Sequence, residues 1–128
     1  ETNEFLRFNE GLRGAIDIIN GDYKLATIRL NRAPESESNL FNKGLAYFLA
    51  EDYKNALVAF EESVQYNREY GYGFYGLAMV ATITDDKQAL FENLSKAVKR
   101  SEYLRERSMT DLIFKKYREE PEFIEVYR

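Results

Sequence analysis

Cysteine, histidine and tryptophan are absent from these 128 residues, and only two prolines are present. Without cysteine there is no disulfide, no thiol nucleophile and no thiolate metal site. That absence fits any compartment. Without histidine the serines lack their usual activating base, and no Ser-x-x-Lys motif replaces it. Two prolines and seven glycines are too few for a disordered or linker-rich chain. No run of apolar residues is long enough to cross a bilayer as a helix. No signal-peptide pattern stands at the start. The sequence begins with Glu1 rather than Met, so a segment of a longer protein is expected. Net charge is −4, with a pI of about 5.0. A basic face for phosphates is therefore lacking, and nucleic acid is not the expected partner.

What is present is apolar and aromatic. Hydrophobic residues make up 45% and aromatics 15%, with ten tyrosines and nine phenylalanines. That is enough for one domain with a real core. The negative charge lies early: residues 1–64 carry 7 basic and 11 acidic side chains, while 65–128 carry 11 of each. Helical periodicity dominates. In 53–66, YKNALVAFEESVQY, the residues Tyr53, Ala56, Leu57, Phe60 and Val64 fall on one helical face. Glu51-Asp52 precedes that segment, where carboxylates favour a helix start. In 40–50, LFNKGLAYFLA, apolar side chains crowd more than one face, which predicts a helix contacted on two sides. No strand-like alternation persists.

The segment 44–63 has echoes. Shifted back by 30 positions, Gly44 meets Gly14, Asp52-Tyr53 meets Asp22-Tyr23, Ala56 meets Ala26, Phe60 meets Leu30 and Ser63 meets Ala33. Shifted forward by 34, Gly44 meets Ala78, Asp52 meets Asp86, Phe60 meets Leu94 and Ser63 meets Ala97. Small residues replace small ones, and large apolar residues replace large ones. A small residue in a first helix lets a second helix approach, and the large residue fills the remaining space. Each hairpin leaves an apolar face for the next to cover, so the hairpins stack.

The unit resembles the tetratricopeptide repeat (TPR). Residues 37–70 match its 34-residue pattern without a gap, through Leu40, Gly44, Tyr47, Asp52-Tyr53, Ala56, Phe60 and Ser63. Residues 71–104 match through Phe74, Leu77, Ala78, Leu90, Leu94 and Ala97, and 7–36 through Gly14, Gly21-Asp22-Tyr23, Ala26, Leu30 and Ala33. The first unit is short, its second helix expected to stop at Pro34. In the third, Lys87 replaces the turn tyrosine and Leu90 the small alanine, so looser packing is expected there. The resemblance implies an all-α, right-handed superhelical stack of three helix–turn–helix units in a single domain, 1–128. Residues 105–128 would form a C-terminal helical cap, with a helix near 109–117 and a break before Pro121. A mobile arm that binds a partner is the other reading of this tail.

Few motifs suggest chemistry. GYGFYG at 71–76 fits G-x-G-x-x-G, but the preceding VQYNREY is helical in pattern, whereas a dinucleotide loop follows a strand. The glycines read better as a permissive junction, with Gly73 and Gly76 also leaving room in a groove for another backbone. The acidic pairs Glu51-Asp52, Glu61-Glu62, Asp85-Asp86 and Glu119-Glu120 sit on turns or exposed helix, not in a shielded pocket. No calcium-loop spacing surrounds them. Asn93-Leu94-Ser95 lies mid-helix, with Leu94 an expected core residue, so this sequon reads as chance. Lys96, Lys99, Arg100, Arg105 and Arg107 read as a solvated helix face or, less favoured, as one anion-binding face. No catalytic function, cofactor or metal is expected.

The resemblance implies a concave groove lined by the first helices. By repeat position Phe41, Leu45 and Phe48 line it, with Tyr72, Tyr75 and Met79 beside them. Asn42 would be a backbone clamp, and Phe8, Ala15 and Ile18 would extend the lining. Such aromatics suit binding hot spots. The alternative is that stacking or the tail buries several of them. The carboxylate clamp of chaperone-tail receptors is missing: only Asn42 fits it, and Gly11, Ala15, Tyr72 and Gly76 stand at its other positions. The expected function is protein–protein interaction, with a peptide or helix in the groove and no membrane insertion. The alternative is a spacer or assembly unit within a larger bacterial envelope protein.

Overall fold

Three tight turns organise the chain. At each, one residue takes the left-handed conformation: Gly21 (φ 82°), Glu51 (φ 64°) and Asp85 (φ 54°). The amide of the next residue reaches back five positions, from Asp22 to the Asp17 carbonyl (2.8 Å), Asp52 to Tyr47 (2.8 Å) and Asp86 to Ala81 (3.0 Å). This closes one helix. The same aspartate opens the next. The Asp52 carboxylate accepts from the Asn55 amide and Asp86 from that of Ala89, both at 3.2 Å. Asp22 makes no such side-chain bond.

The computed structural model describes the backbone of residues 2–128 and the side chains from Asn9 onward. Its helices are α1 (Thr2–Ile19), α2 (Tyr23–Arg32), α3 (Glu37–Leu49), α4 (Tyr53–Tyr66), α5 (Gly71–Thr84), α6 (Lys87–Arg100) and α7 (Glu102–Thr110). A 3-10 helix (Leu112–Tyr117) and α8 (Pro121–Glu125) complete the chain, and no strand occurs among the described residues. The fold is all-α, built of sequential antiparallel pairs, α1–α2, α3–α4 and α5–α6. Each pair packs on the next, α2 on α3 and α4 on α5, and α6 packs on α7. The odd-numbered helices also touch one another, α1 with α3, α3 with α5 and α5 with α7, so α3 is contacted on several sides, as expected. The even-numbered helices make no contact of that extent with one another.

The close approaches follow the small–large pattern. A Cβ built on Gly14 would lie 2.5 Å from Leu30 Cγ, and one on Gly44 would lie 2.5 Å from Phe60 Cδ1. Phe60 is also met from the other side, since a Cβ on Gly76 would come within 2.3 Å of its Cδ1. The fully buried Phe60 ring therefore sits between two glycines, one on α3 and one on α5. Ser63 fastens the same pair, its hydroxyl donating to the Glu37 carbonyl at 2.9 Å.

Three expectations need correction. Gly73 and Gly76 do not open onto a groove. They lie inside α5 and face Val64, Ser63 and Phe60 of α4. The third pair is not loose either. Leu90, Leu94 and Ala97 are all fully buried, and the turn is tied to the tail by Lys87 Nζ to Glu120 at 3.2 Å. Finally, the tail helix spans 102–110 rather than 109–117. Ser101 ends α6 and caps α7, accepting from the Leu104 amide at 3.1 Å, and Asp111 breaks the helix. Phe114, Tyr117, Phe123 and Val126 of the tail are buried in the main core. The early end of α2 is as expected: it stops at Arg32, just before Ala33-Pro34.

Phe60→Ala is expected to cost about 3–5 kcal/mol through the cavity it leaves, read from denaturant melts. Gly76→Ala should cost about 1–3 kcal/mol by overpacking, despite better helix propensity. Phe60→Leu should relieve part of that cost, and strict additivity would show that the two do not compete for one space. At the turns, Glu51→Gly should raise stability by about 0.5–1 kcal/mol by removing left-handed strain. Gly21→Ala, with nothing near enough to clash, should lower it by about 1 kcal/mol.

Candidate functional site

The i, i+4, i+7 spacing of Phe41, Leu45 and Phe48 places them on one side of α3. Tyr72, Tyr75 and Met79 fall on one side of α5, about 100° around the helix from Gly73 and Gly76. Between these rows lies a cleft of about 570 Å³, lined by all six and by Leu49. Its third wall comes from α7, through Tyr103, Leu104 and Arg107, and Asp111 and Ile113 close one end. Tyr72 meets Phe41 edge-on with centroids 5.4 Å apart, while Phe41 leans on Phe60 at 5.5 Å. Tyr72 stacks with Tyr70 at 5.3 Å and with Tyr103 at 6.5 Å. The aromatic lining is thus continuous with the packing of the two glycines.

Asn42 does not join this cleft. One residue past Phe41 is about 100° around the helix, and Asn42 lines a separate recess of about 410 Å³ with Gly11, Ala15 and Asn39. Ile18 is half-buried against the small cluster of Ala26, Leu30 and Ala46. The expected extension through Ala15 and Ile18 is therefore not continuous with the cleft. The Phe8 side chain lies outside the described residues.

Tyr75 is buried, and its hydroxyl donates to Asp111 Oδ2 at 2.5 Å. The other carboxylate oxygen accepts from the Ile113 amide at 3.2 Å. Burial, and then the bond to Asp111, push the Tyr75 hydroxyl well above an ordinary phenol, so it stays protonated. Tyr75 therefore fastens the tail to α5 and offers little surface. Phe48 and Met79 are also buried, so the exposed apolar lining is Leu49 (38% exposed) and Tyr103 (57%), with Phe41, Leu45 and Tyr72 half-covered.

Reading by repeat position missed Leu49 and the whole α7 wall. Two signals were available: Ser101 followed by Glu102 as a helix start, and Tyr103 and Arg107 spaced i, i+4. A further regularity concerns Ile19, Leu49 and Ile83. These stand at equivalent places, at the C-terminal ends of α1, α3 and α5, and all three are exposed.

The remaining chemistry is sparse. No group of three or more acidic, histidine or cysteine side chains that could hold a metal occurs among the described residues. The basic residues of the second half do not form one face. Lys96 and Arg100 lie over the Phe74 ring, Arg105 donates to the Tyr127 carbonyl at 2.7 Å and Arg107 lines the cleft. Asn93 and Leu94 are in mid-helix, and Leu94 is fully buried. No described helix is long and apolar enough to cross a membrane. No family model, curated protein or solved structure matches the chain.

The α7 wall is held by the tail behind it. The Tyr117 hydroxyl donates to Asp85 Oδ1 at 2.6 Å, and the Ser108 and Tyr127 hydroxyls share a 2.7 Å bond. The Tyr117 bond, then the Lys116 charge, hold the Asp85 carboxyl below the usual range. Burial, then the bond to Asp85, push the Tyr117 hydroxyl up to about 12. Stability from Asp85 is therefore present above the ordinary carboxylate pKa and lost as pH falls through its depressed value. Stability from Tyr117 is present below pH 10.0, its ordinary value, and lost as pH rises towards about 12. Asn tolerates the left-handed backbone and can still accept the bond, so Asp85→Asn isolates the charge. Its melting temperature should fall below wild type at neutral pH, with the deficit shrinking below about pH 4. Tyr117→Phe should flatten the alkaline limb. A deficit constant from pH 2 to 8 would remove the charge from the account.

Proposed function

We propose that this chain is a TPR-like interaction module whose cleft between α3, α5 and α7 takes a peptide or helix of another protein. The observation that carries the reading is the apolar, aromatic cleft, open beside exposed Leu49 and Tyr103. The repeated turn, the repeated small–large contact and the mutual contact of the odd-numbered helices support the family likeness. Aromatic rings held by neighbouring rings offer contact area with little entropy left to lose. The hydroxyl and carboxylate that meet in the cleft, Tyr75 and Asp111, are engaged with each other, so recognition without catalysis fits it best.

A second reading, an assembly unit packed against neighbouring domains, has one observation in its favour. Ile16 stands where Ala46 and Val80 stand in the next two pairs. Those two are buried, and Ile16 is exposed. The α1 face thus resembles the faces that receive a preceding pair.

Tyr75 and Phe41 are poor probes, because one holds the tail and the other leans on Phe60. The cleaner variants are Leu49→Asp and Tyr103→Ala. Each should leave the melting temperature within a few degrees of wild type and weaken capture of a cleft-binding protein by about tenfold or more, read by calorimetry. Retained binding in both, with Ile16→Glu abolishing it, would favour the assembly reading.

A further inference from the structure

The cleft carries an uneven ion pair at its end. Arg107 Nε lies 3.5 Å from Asp111 Oδ2, with the arginine side chain 55% exposed and the aspartate side chain 17%. The carboxylate is turned inward, where one oxygen is taken by the Tyr75 hydroxyl and the other by the Ile113 amide. The guanidinium is turned outward. Of its five N–H donors, the described residues hydrogen-bond one, Arg107 Nη1 donating to the Tyr103 hydroxyl at 3.4 Å. Arg107 and Asp111 are the only charged side chains that line the cleft. What the mouth presents is therefore an apolar surface with one cation beside it. A guanidinium with free donors suits a carboxylate by paired hydrogen bonds.

Leu49 belongs to the lining, and exposed Ile19 and Ile83 hold the same place on the two neighbouring helices. An occupant that covered all three would lie across α1, α3 and α5 and so extend beyond the cleft towards α1. It would be a stretch of chain, not a chain end.

We propose, building on the cleft reading above, that the site takes an internal segment of a partner protein in which aliphatic or aromatic side chains flank one Asp or Glu. Those side chains fill the space between Phe41, Tyr72 and Tyr103, and the carboxylate pairs with Arg107. Arg107 acts here as a specificity determinant. Selectivity for the acidic residue is bounded by the half-exposed position of the guanidinium, where screening weakens an ion pair.

The test uses the whole 128-residue chain and a display library of random peptides, presented both within a scaffold loop and with free C-termini. Loop-displayed binders that depend on Leu49 and Tyr103 should be enriched in Asp or Glu beside aromatic residues. Arg107→Glu should shift that enrichment to Lys or Arg. For a selected peptide, Glu→Gln should weaken binding to wild type by about three- to tenfold, and should change little on Arg107→Gln. The milder Arg107→Gln keeps the experiment readable if Arg107→Glu disturbs the tail, and far-ultraviolet melts check both. Binders that need Leu49 but show no acidic preference would overturn this proposal and leave the cleft reading standing. Acidic preference only at free C-termini would overturn the internal-segment assignment. Binders insensitive to both Leu49→Asp and Tyr103→Ala would remove the cleft reading and this proposal together.

Discussion

The Phe60 ring, closed between Gly44 and Gly76, sets the geometry on which the rest depends. A side chain larger than hydrogen at either glycine would push α3 or α5 away from α4. Because α3 and α5 both rest on this ring, they are brought close enough to touch each other. The adjoining faces of these helices then carry Phe41, Leu45 and Phe48 against Tyr72, Tyr75 and Met79. The width of the cleft is thus a consequence of the packing behind it. Phe41 lies at the boundary, with one side on Phe60 and the other towards the cleft.

The repeating part of this arrangement was legible because each feature is local and has a single physical reason. Gly14, Gly44 and Ala78 are small where a large residue of the partner helix arrives. Asp52 and Asp86 combine the end of one helix with the start of the next, a role that short acidic side chains fill well. The lining residues on α3 and α5 followed from the same register. Asn42 was misplaced because one residue's rotation carries a side chain out of a row, and repeat position alone does not measure that. Gly73 and Gly76 were misread because a glycine-rich run suggests freedom, whereas here it permits contact. Gly76 does for the next pair what Gly44 does within its own.

The tail was less legible because it follows no repeat. A 34-residue unit ending at residue 104 crosses the helix start at Ser101 and so divides α7. Lys87 and Leu90 looked like weak points because the unit was judged alone. In the structure the tail supplies what they lack: Tyr117 bonds Asp85, Glu120 pairs with Lys87, and the rings of Phe114 and Phe123 join the core. The same segment brings α7 up to the cleft. Covering the core and lining the cleft are therefore one act, and Tyr75 fastens the tail because its hydroxyl meets Asp111.

The core is correspondingly unequal. Among the described residues one cluster runs from Phe48 through Phe60 to Val126, while Ala26, Leu30 and Ala46 form a small separate one. Native-state hydrogen exchange followed residue by residue tests the central claim most directly. If the Phe60 contact holds the structure together, amides in the middle of α4 and α5 exchange only through global unfolding, and those of α1 and α2 open at lower free energy. Equal protection in α2 and α4, or local opening of α5 around Gly76, would contradict the account.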